Sequence, residues 1–153
     1  MSKGVKYNII NDIFKKPFNI MLNILSLNNK EIEILYSHKD ENRIKIFDLT
    51  RNEIKKILSY DTRKQETILD FDIEIIRYFL LIYDISIQDD ILKYNTKYQT
   101  SLIKIFRELN IEYMKKLLQL LPEELEKILK ISNKDIMKKL LDQNIEIIKN
   151  ILI

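Results

Sequence analysis

The chain has 153 residues, a net charge of +3 at neutral pH and no cysteine. This length suits one domain with a substantial core, and the lack of cysteine excludes disulfides, thiolate catalysis and cysteine-based zinc sites. The net charge is too small to indicate a dedicated nucleic-acid binder, so we interpret most charged side chains as solvated faces.

Isoleucine dominates the composition: there are 30 Ile, no Ala and a single Gly. Ile, Lys, Asn, Tyr and Phe use A/T-rich codons, so this bias predicts an A/T-rich genome, such as that of a low-GC bacterium or a phage. Isoleucine normally favours strands, but codon bias supplies it everywhere, so hydrophobic periodicity must decide the secondary structure. The apolar runs are far shorter than the ~20 residues of a membrane span. We therefore expect a cytoplasmic protein without a membrane segment.

The first 60 residues predict helices and one β-hairpin. Apolar spacing favours a helix over residues 5–15, and Pro17 suits the first turn of the next helix. Residues 31–37 and 43–49 alternate polar and apolar side chains on either side of the polar sequence HKDEN. This alternation predicts two strands joined by a turn, with helices covering the apolar face of the hairpin.

The middle of the chain predicts further helices. Thr50 and Glu53 fit the S/T-x-x-E capping box, which indicates a helix ending near Tyr60. Residues 60–66 are polar and predict a loop, and the helices of the central region then extend over residues 66–109.

The last 44 residues contain a repetitive pattern. The sequence MKKLLQLLPEELEKIL from Met114 aligns with MKKLLDQNIEIIKNIL from Met137, with eight of sixteen positions identical at a separation of 23 residues. Each unit predicts two short helices separated at Pro122 or Asn144, as in stacked helical arrays. The alternative is that a composition rich in Lys, Leu, Ile and Glu produces half of these identities by itself.

These patterns together predict a mainly α protein. We expect a single domain over residues 1–153 in which packed helices carry one N-terminal β-hairpin. Its parts are a helix and hairpin region over residues 1–60, central helices over 66–109 and two 23-residue helical units over 110–153 if the repeat is structural.

Three acidic residues form the one cluster that suggests chemistry: Asp70, Asp72 and Glu74. The tetrad FDIE at residues 71–74 resembles the first metal motif of proofreading exonucleases, in which an Asp-x-Glu on a strand holds catalytic cations. The resemblance implies a two-metal nuclease, but it covers four residues, and the further acidic motifs and mixed α/β domain of that family do not follow. Apolar spacing over residues 73–87 instead predicts a helix, which separates Asp72 from the other two carboxylates. We assign no metal site there.

Other catalytic motifs are missing as well. Gly4 is the single glycine, which excludes a glycine-rich phosphate loop, and no serine lies in a glycine-flanked nucleophile elbow. His38 is the single histidine, and its polar neighbours predict an exposed position in a turn. We therefore expect a protein that is not an enzyme and uses no cofactor.

Protein binding is the function that we expect, through an apolar and aromatic patch with a charged rim. Tyr94 and Tyr98 are candidate interface residues because tyrosine is favoured at interfaces. Ile151 and Ile153 are candidates because the apolar C-terminal helices would be covered by a second copy of the chain or by a protein partner. Short proteins of A/T-rich genomes include phage-encoded inhibitors of host defence, which gives one setting for such a protein.

The alternative function is nucleic-acid binding by the N-terminal segment. Basic side chains there mix with the aromatic rings of Phe14 and Phe18, and such a mixture can neutralise phosphates and stack on bases. The competing interpretation is a basic amphipathic helix that packs its aromatic rings inward. The lysines concerned are Lys3, Lys6, Lys15 and Lys16.

Overall fold

The structure is a computed structural model that describes residues 7–153, with side chains from residue 8 onward. These residues form thirteen α-helices and no strand. They divide into two compact units, one up to Leu80 and one from Leu81. The first unit contains α1 (Tyr7–Phe14), α2 (Phe18–Leu25), α3 (Asn29–Ser37), α4 (Asp40–Phe47), α5 (Arg51–Ser59), α6 (Thr62–Leu69) and α7 (Ile73–Leu80). The second contains α8 (Ile85–Leu92), α9 (Thr96–Phe106), α10 (Ile111–Leu117), α11 (Pro122–Leu129), α12 (Lys134–Leu141) and α13 (Ile145–Ile151).

The mainly α class agrees with the prediction, but the N-terminal β-hairpin is wrong. Its two expected strands, residues 31–37 and 43–49, lie largely in α3 and α4. On a strand Ile44 and Ile46 would share one face, whereas here Ile46 is fully buried and Ile44 is 63% exposed. This is the separation that a helix imposes on residues two apart.

A capping box formed by Asn28 and Glu31 explains why α3 begins where it does, although the polar and apolar residues that follow alternate as in a strand. The Glu31 backbone N–H donates to the Asn28 side chain at 2.8 Å, and the Asn28 N–H donates to Glu31 Oε1 at 2.9 Å. This reciprocal arrangement satisfies two backbone donors that a helix leaves unpaired at its first turn. The same arrangement at Thr50 and Glu53, which the sequence predicts, is confirmed at the start of α5.

The helices of the first unit recur at a constant interval. Each begins 11 residues after the previous one, from Tyr7 to Ile73. Helices two apart contact each other, as α3 does with α5 and α5 with α7, so each short helix buries its apolar face against its neighbours. The Tyr36 hydroxyl on α3 also donates to Asp12 on α1 at 2.6 Å.

The predicted loop over residues 60–66 is wrong because it contains the start of α6. The Asp61 side chain accepts a hydrogen bond from the Lys64 N–H at 2.8 Å and caps the helix. Gln65 is 1% exposed, and its Nε2 donates to the Tyr60 carbonyl at 2.8 Å. A segment that is polar in sequence therefore supplies a cap and a buried hydrogen bond.

The second unit shows a similar arrangement. Residues 110–153 fold into two helix pairs, α10–α11 and α12–α13, whose equivalent helices begin 23 residues apart. Contacts join α8 to α9, α10 to α12 and α12 to α13. The expectation of a single domain over residues 1–153 stays a prediction.

Lysine ammonium groups connect helices two apart in both units. Lys45 donates to the carbonyl of Leu69 at 2.7 Å, and Lys127 donates to the carbonyl of Leu152 at 2.6 Å. Each acceptor belongs to the C-terminal end of a helix, where carbonyls lack partners within the helix and the dipole favours a cation. The charged residues of this chain are thus partly structural.

The longest helix of the described residues, α9, has 11 residues. A helix needs about 20 residues to cross a bilayer, so none of the helices within residues 7–153 could do so.

Candidate protein interface

The helix pairs α10–α11 and α12–α13 have the same inward packing. Met114 and its equivalent Met137 are both fully buried, as are Leu125 and its equivalent Ile148. These residues form the apolar face that each pair needs in order to stay folded.

The two pairs differ on their other side. Ile128 in α11 is fully buried, whereas the equivalent Ile151 in α13 is 59% exposed. Further isoleucines of α12 and α13 are exposed as well, and Ile153 is 94% exposed. We call these residues the outer face of α12–α13. It consists of Ile136, Ile147, Ile151 and Ile153.

Polar contacts show the same difference between the pairs. Lys116 Nζ donates to the carbonyls of Leu141 and Gln143 at 2.6 and 2.8 Å, which ties α10 to the end of α12. The equivalent Lys139 is exposed and makes no ion pair or hydrogen bond through its side chain within the described residues. Its ammonium group is free to donate to another helix end.

Tyr113 marks a third equivalent position. Its hydroxyl donates to Asp142 Oδ1 at 2.6 Å, and this hydrogen bond raises the pKa of Tyr113, with desolvation and the charge of Asp142 adding to the effect. Ile136 replaces this tyrosine in α12 and is 56% exposed. The position that bonds to the next helix pair through Tyr113 in α10 is therefore occupied by an exposed apolar residue, Ile136, in α12.

The two candidate interface tyrosines precede the helix pairs in the chain: Tyr94 lies between α8 and α9, and Tyr98 lies in α9. Tyr98 is 8% exposed, and its hydroxyl lies 3.3 Å from Glu126 Oε2, so most of its ring packs inside the unit. Tyr94 is half-buried and donates to the Leu120 carbonyl at 2.8 Å. It lines a cleft of about 360 Å³ with Leu121 and Pro122. Burial raises the pKa of Tyr94, and the charges of Asp90 and Glu124 add to this.

Two of the four candidate nucleic-acid-binding lysines, Lys15 and Lys16, lie within the described residues. Lys3 and Lys6 lie outside the described residues. Lys16 is held by Asp12 at 3.5 Å and lies 4.7 Å above the ring of Phe47, whereas Lys15 is exposed.

The aromatic rings beside these lysines do not pack inward. Phe14 is 63% exposed and Phe18 is 70% exposed. The interpretation of this segment as an amphipathic helix with inward-facing rings is therefore wrong for both residues. Leu22 and Leu25 continue the exposed surface along α2.

The three acidic residues of the exonuclease-like tetrad are not brought together as ligands. Asp70 directly follows α6, Asp72 precedes α7, and Glu74 lies in α7 and accepts from the Tyr78 hydroxyl at 2.5 Å. Within residues 7–153 no group of three or more His, Cys, Asp or Glu side chains is placed to hold a metal ion. The helical interpretation is confirmed for residues 73–80, but the helix predicted over residues 73–87 ends at Leu80, and Asp70 follows α6 instead of sharing a helix with Glu74.

His38 is buried, so its predicted exposure is wrong. It is 6% exposed, and its Nε2 lies 2.7 Å from Gln65 Oε1. Burial follows because the segment forms the junction between two packed helices, α3 and α4, rather than a hairpin turn.

Comparisons with family models, with curated proteins and with solved structures give no match to the chain. Sequence reasoning missed Ile136, Ile147 and Lys139 as candidate interface residues. Aligning the two 23-residue units position by position would have indicated them, because each unit must present its outward positions to whatever follows it.

Proposed function

We propose that the protein is a non-enzymatic interaction module that binds through the outer face of α12–α13. The observation that carries the proposal is the contrast between Ile128 and Ile151, identical residues at equivalent positions that are 0% and 59% exposed. A face that is core in one pair is suited to become core in an assembly.

The occupant that we propose is a second copy of the same chain. The face is made of isoleucines, and an apolar surface of this kind complements itself in a two-fold interface. Lys139 supports an assembly at this face, because Lys116 at the equivalent position bonds to the carbonyls at the end of α12, whereas Lys139 has no such acceptor within the described residues.

Sedimentation velocity over a range of concentrations tests the proposal. We expect the full chain to sediment as a dimer with a Kd in the micromolar range, about −8 kcal/mol. Ile151→Lys should convert it to a monomer, because a charge would be buried without a partner in the dimer.

The matched control is Ile44→Lys in the first unit. Ile44 is 63% exposed, close to the 59% of Ile151, but lies on α4. Ile44→Lys should leave the dimer intact. A wild-type chain that stays monomeric up to about 1 mM, or equal effects of the two substitutions, would overturn the proposal.

A second candidate function is single-stranded nucleic-acid binding by the first helix pair. The observation that favours it is the exposure of Phe14 and Phe18 on either side of the exposed Lys15, since exposed rings stack on bases and lysines neutralise phosphates.

Oligonucleotide binding measured at several salt concentrations tests this candidate. We expect affinity that falls steeply with salt, and a shallower slope for Lys15→Gln. Lys104→Gln, at an exposed lysine of α9, is the control. The second candidate fails if Lys15→Gln and Lys104→Gln behave alike. The setting in a phage or low-GC bacterium stays a prediction.

A further inference from the structure

The first unit contains a polar cleft that is separate from the interface proposed above. It has a volume of about 620 Å³ and lies between the α3–α4 junction and α6. All seven lining residues have polar or charged side chains. The residues are Ser37, His38, Lys39, Asn42, Thr62, Glu66 and Asp70.

Asn42 is the feature of this cleft that packing alone does not explain. It is 6% exposed, and its side-chain amide makes no hydrogen bond within the described residues. No fully buried side-chain nitrogen or oxygen atom of the described residues lacks a partner, so the amide of Asn42 must be reached from the cleft. A nearly buried amide without a partner costs free energy unless a ligand or water satisfies it.

His38 presents a hydrogen-bond acceptor to the same cleft. Gln65 Nε2 donates to the carbonyl of Tyr60 at 2.8 Å, so its Oε1 is turned to the imidazole, 2.7 Å from His38 Nε2. An amide oxygen only accepts, so Nε2 must carry the hydrogen. In the neutral imidazole Nδ1 is then an acceptor, and it has no partner within the described residues.

Two carboxylates complete the site. Glu66 and Asp70 are four residues apart and lie on one side of α6 and its C-terminal end. Neither side chain makes an ion pair or hydrogen bond within the described residues. At this end of α6 the Lys45 ammonium donates to the carbonyls of Leu69 and Phe71, on either side of Asp70, at 2.7 and 3.0 Å.

The charge of the lining selects a cation. The lining residues carry two carboxylates and one ammonium group, that of Lys39, which is also paired with Glu41 at 3.8 Å. The described residues offer no group of three metal-binding side chains here. An organic cation with several donors fits this set of acceptors better than an anion or a metal ion does.

We propose that this cleft binds a guanidinium group, with Glu66 and Asp70 opposing its charge and His38 Nδ1 and the Asn42 amide fixing its orientation. A guanidinium has five donors in a planar fork that matches carboxylates. The group belongs either to a free arginine-like molecule or to an arginine side chain of a partner protein.

The single histidine makes the test direct. We would record the imidazole nitrogen resonances of His38 by NMR while titrating N-acetyl-arginine amide into the full chain. Before ligand is added, the spectrum should show hydrogen on Nε2. The Nδ1 resonance should then shift saturably, while N-acetyl-citrulline amide, a neutral ligand of the same shape, should bind at least about tenfold more weakly.

Substitutions locate the binding within the cleft. Glu66→Gln and Asn42→Leu should each weaken arginine binding by about tenfold. The control is Glu123→Gln, an exposed acid of α11 outside the lining, which should change the affinity by less than about twofold. Amide spectra verify that each variant is folded, and Glu66→Gln, at an exposed position, tests the proposal if Asn42→Leu does not fold.

The outcomes separate the sources of the ligand. A peptide with a central arginine that binds more tightly than the amino-acid amide indicates a partner protein, whereas equal affinities indicate a free guanidinium compound. The proposal is overturned if His38 shows no saturable shift, if citrulline amide binds equally well, or if inorganic phosphate binds in preference.

Discussion

The helix pairs α10–α11 and α12–α13 are alike in sequence and differ in what surrounds them. Ile128 and Ile151 are the same residue at the same position of the repeat, yet one is core and the other is surface. Lys116 and Lys139 are likewise the same residue, yet Lys116 bonds to the end of α12 in the next pair and Lys139 is exposed.

In a stacked helical array, the burial of a residue depends on the helix pair packed next to it as much as on the residue itself. A helix of eight residues cannot be stable in isolation, so each pair depends on the surface that covers it. Equivalent positions therefore have unequal energetic roles, and paired substitutions can measure the difference.

The largest effect is expected at the isoleucines. Ile128→Ala should lower the free energy of unfolding by about 2–5 kcal/mol, because it leaves a cavity in a fully buried site. Ile151→Ala should change it by less than about 0.5 kcal/mol in the monomer. Urea unfolding at a protein concentration below the Kd of the dimer measures both free energies. Equal losses of stability for the two variants would show that Ile128 and Ile151 do not differ in their contribution to the fold.

A smaller effect is expected at the lysines. Lys116→Met should lower the free energy of unfolding by about 1 kcal/mol, because the carbonyls of Leu141 and Gln143 lose a charged donor that is partly screened by solvent. Lys139→Met should leave monomer stability unchanged within error. Thermal unfolding of the two variants side by side measures the difference. A Lys139→Met monomer that is as destabilised as Lys116→Met would contradict the prediction.

The smallest effect appears only at high pH and involves Tyr113. The pKa of its hydroxyl is raised in the folded chain, first by the hydrogen bond to Asp142. Its contribution to stability is therefore present below about pH 10 and is lost as the pH rises further, because the unfolded tyrosine releases its proton first. Tyr113→Phe should lose less stability than the wild type as the pH rises above about 10, as followed by circular dichroism. If the free energy of unfolding falls equally steeply with pH in Tyr113→Phe and the wild type, this hydrogen bond does not couple folding to pH.

Much of the helical structure was predictable from local signals. The capping box at Thr50 and Glu53 is a local arrangement of four residues, and it is present as predicted. The start of α3 carries the same signal at Asn28 and Glu31, but the alternation of polar and apolar residues after it concealed the helix. Isoleucines supplied by codon bias imitate a strand wherever they fall two residues apart.

The sites were less predictable than the helices. The unpaired amide of Asn42 and the buried imidazole of His38 depend on the packing of α4 and α6, which are separated along the chain. A polar residue next to a helix end can cap, face solvent or enter a cleft, and the local sequence is the same in each case.

By itself, the sequence determined where helices can begin and that two 23-residue segments resemble each other, because caps and periodicity act over a few residues. The tertiary structure alone decided that residues 31–37 and 40–47 are helical and that Ile151 lies outside while Ile128 lies inside. The physical reason is that burial is a property of contacts between distant segments, and apolar residues gain free energy only when another surface removes them from water.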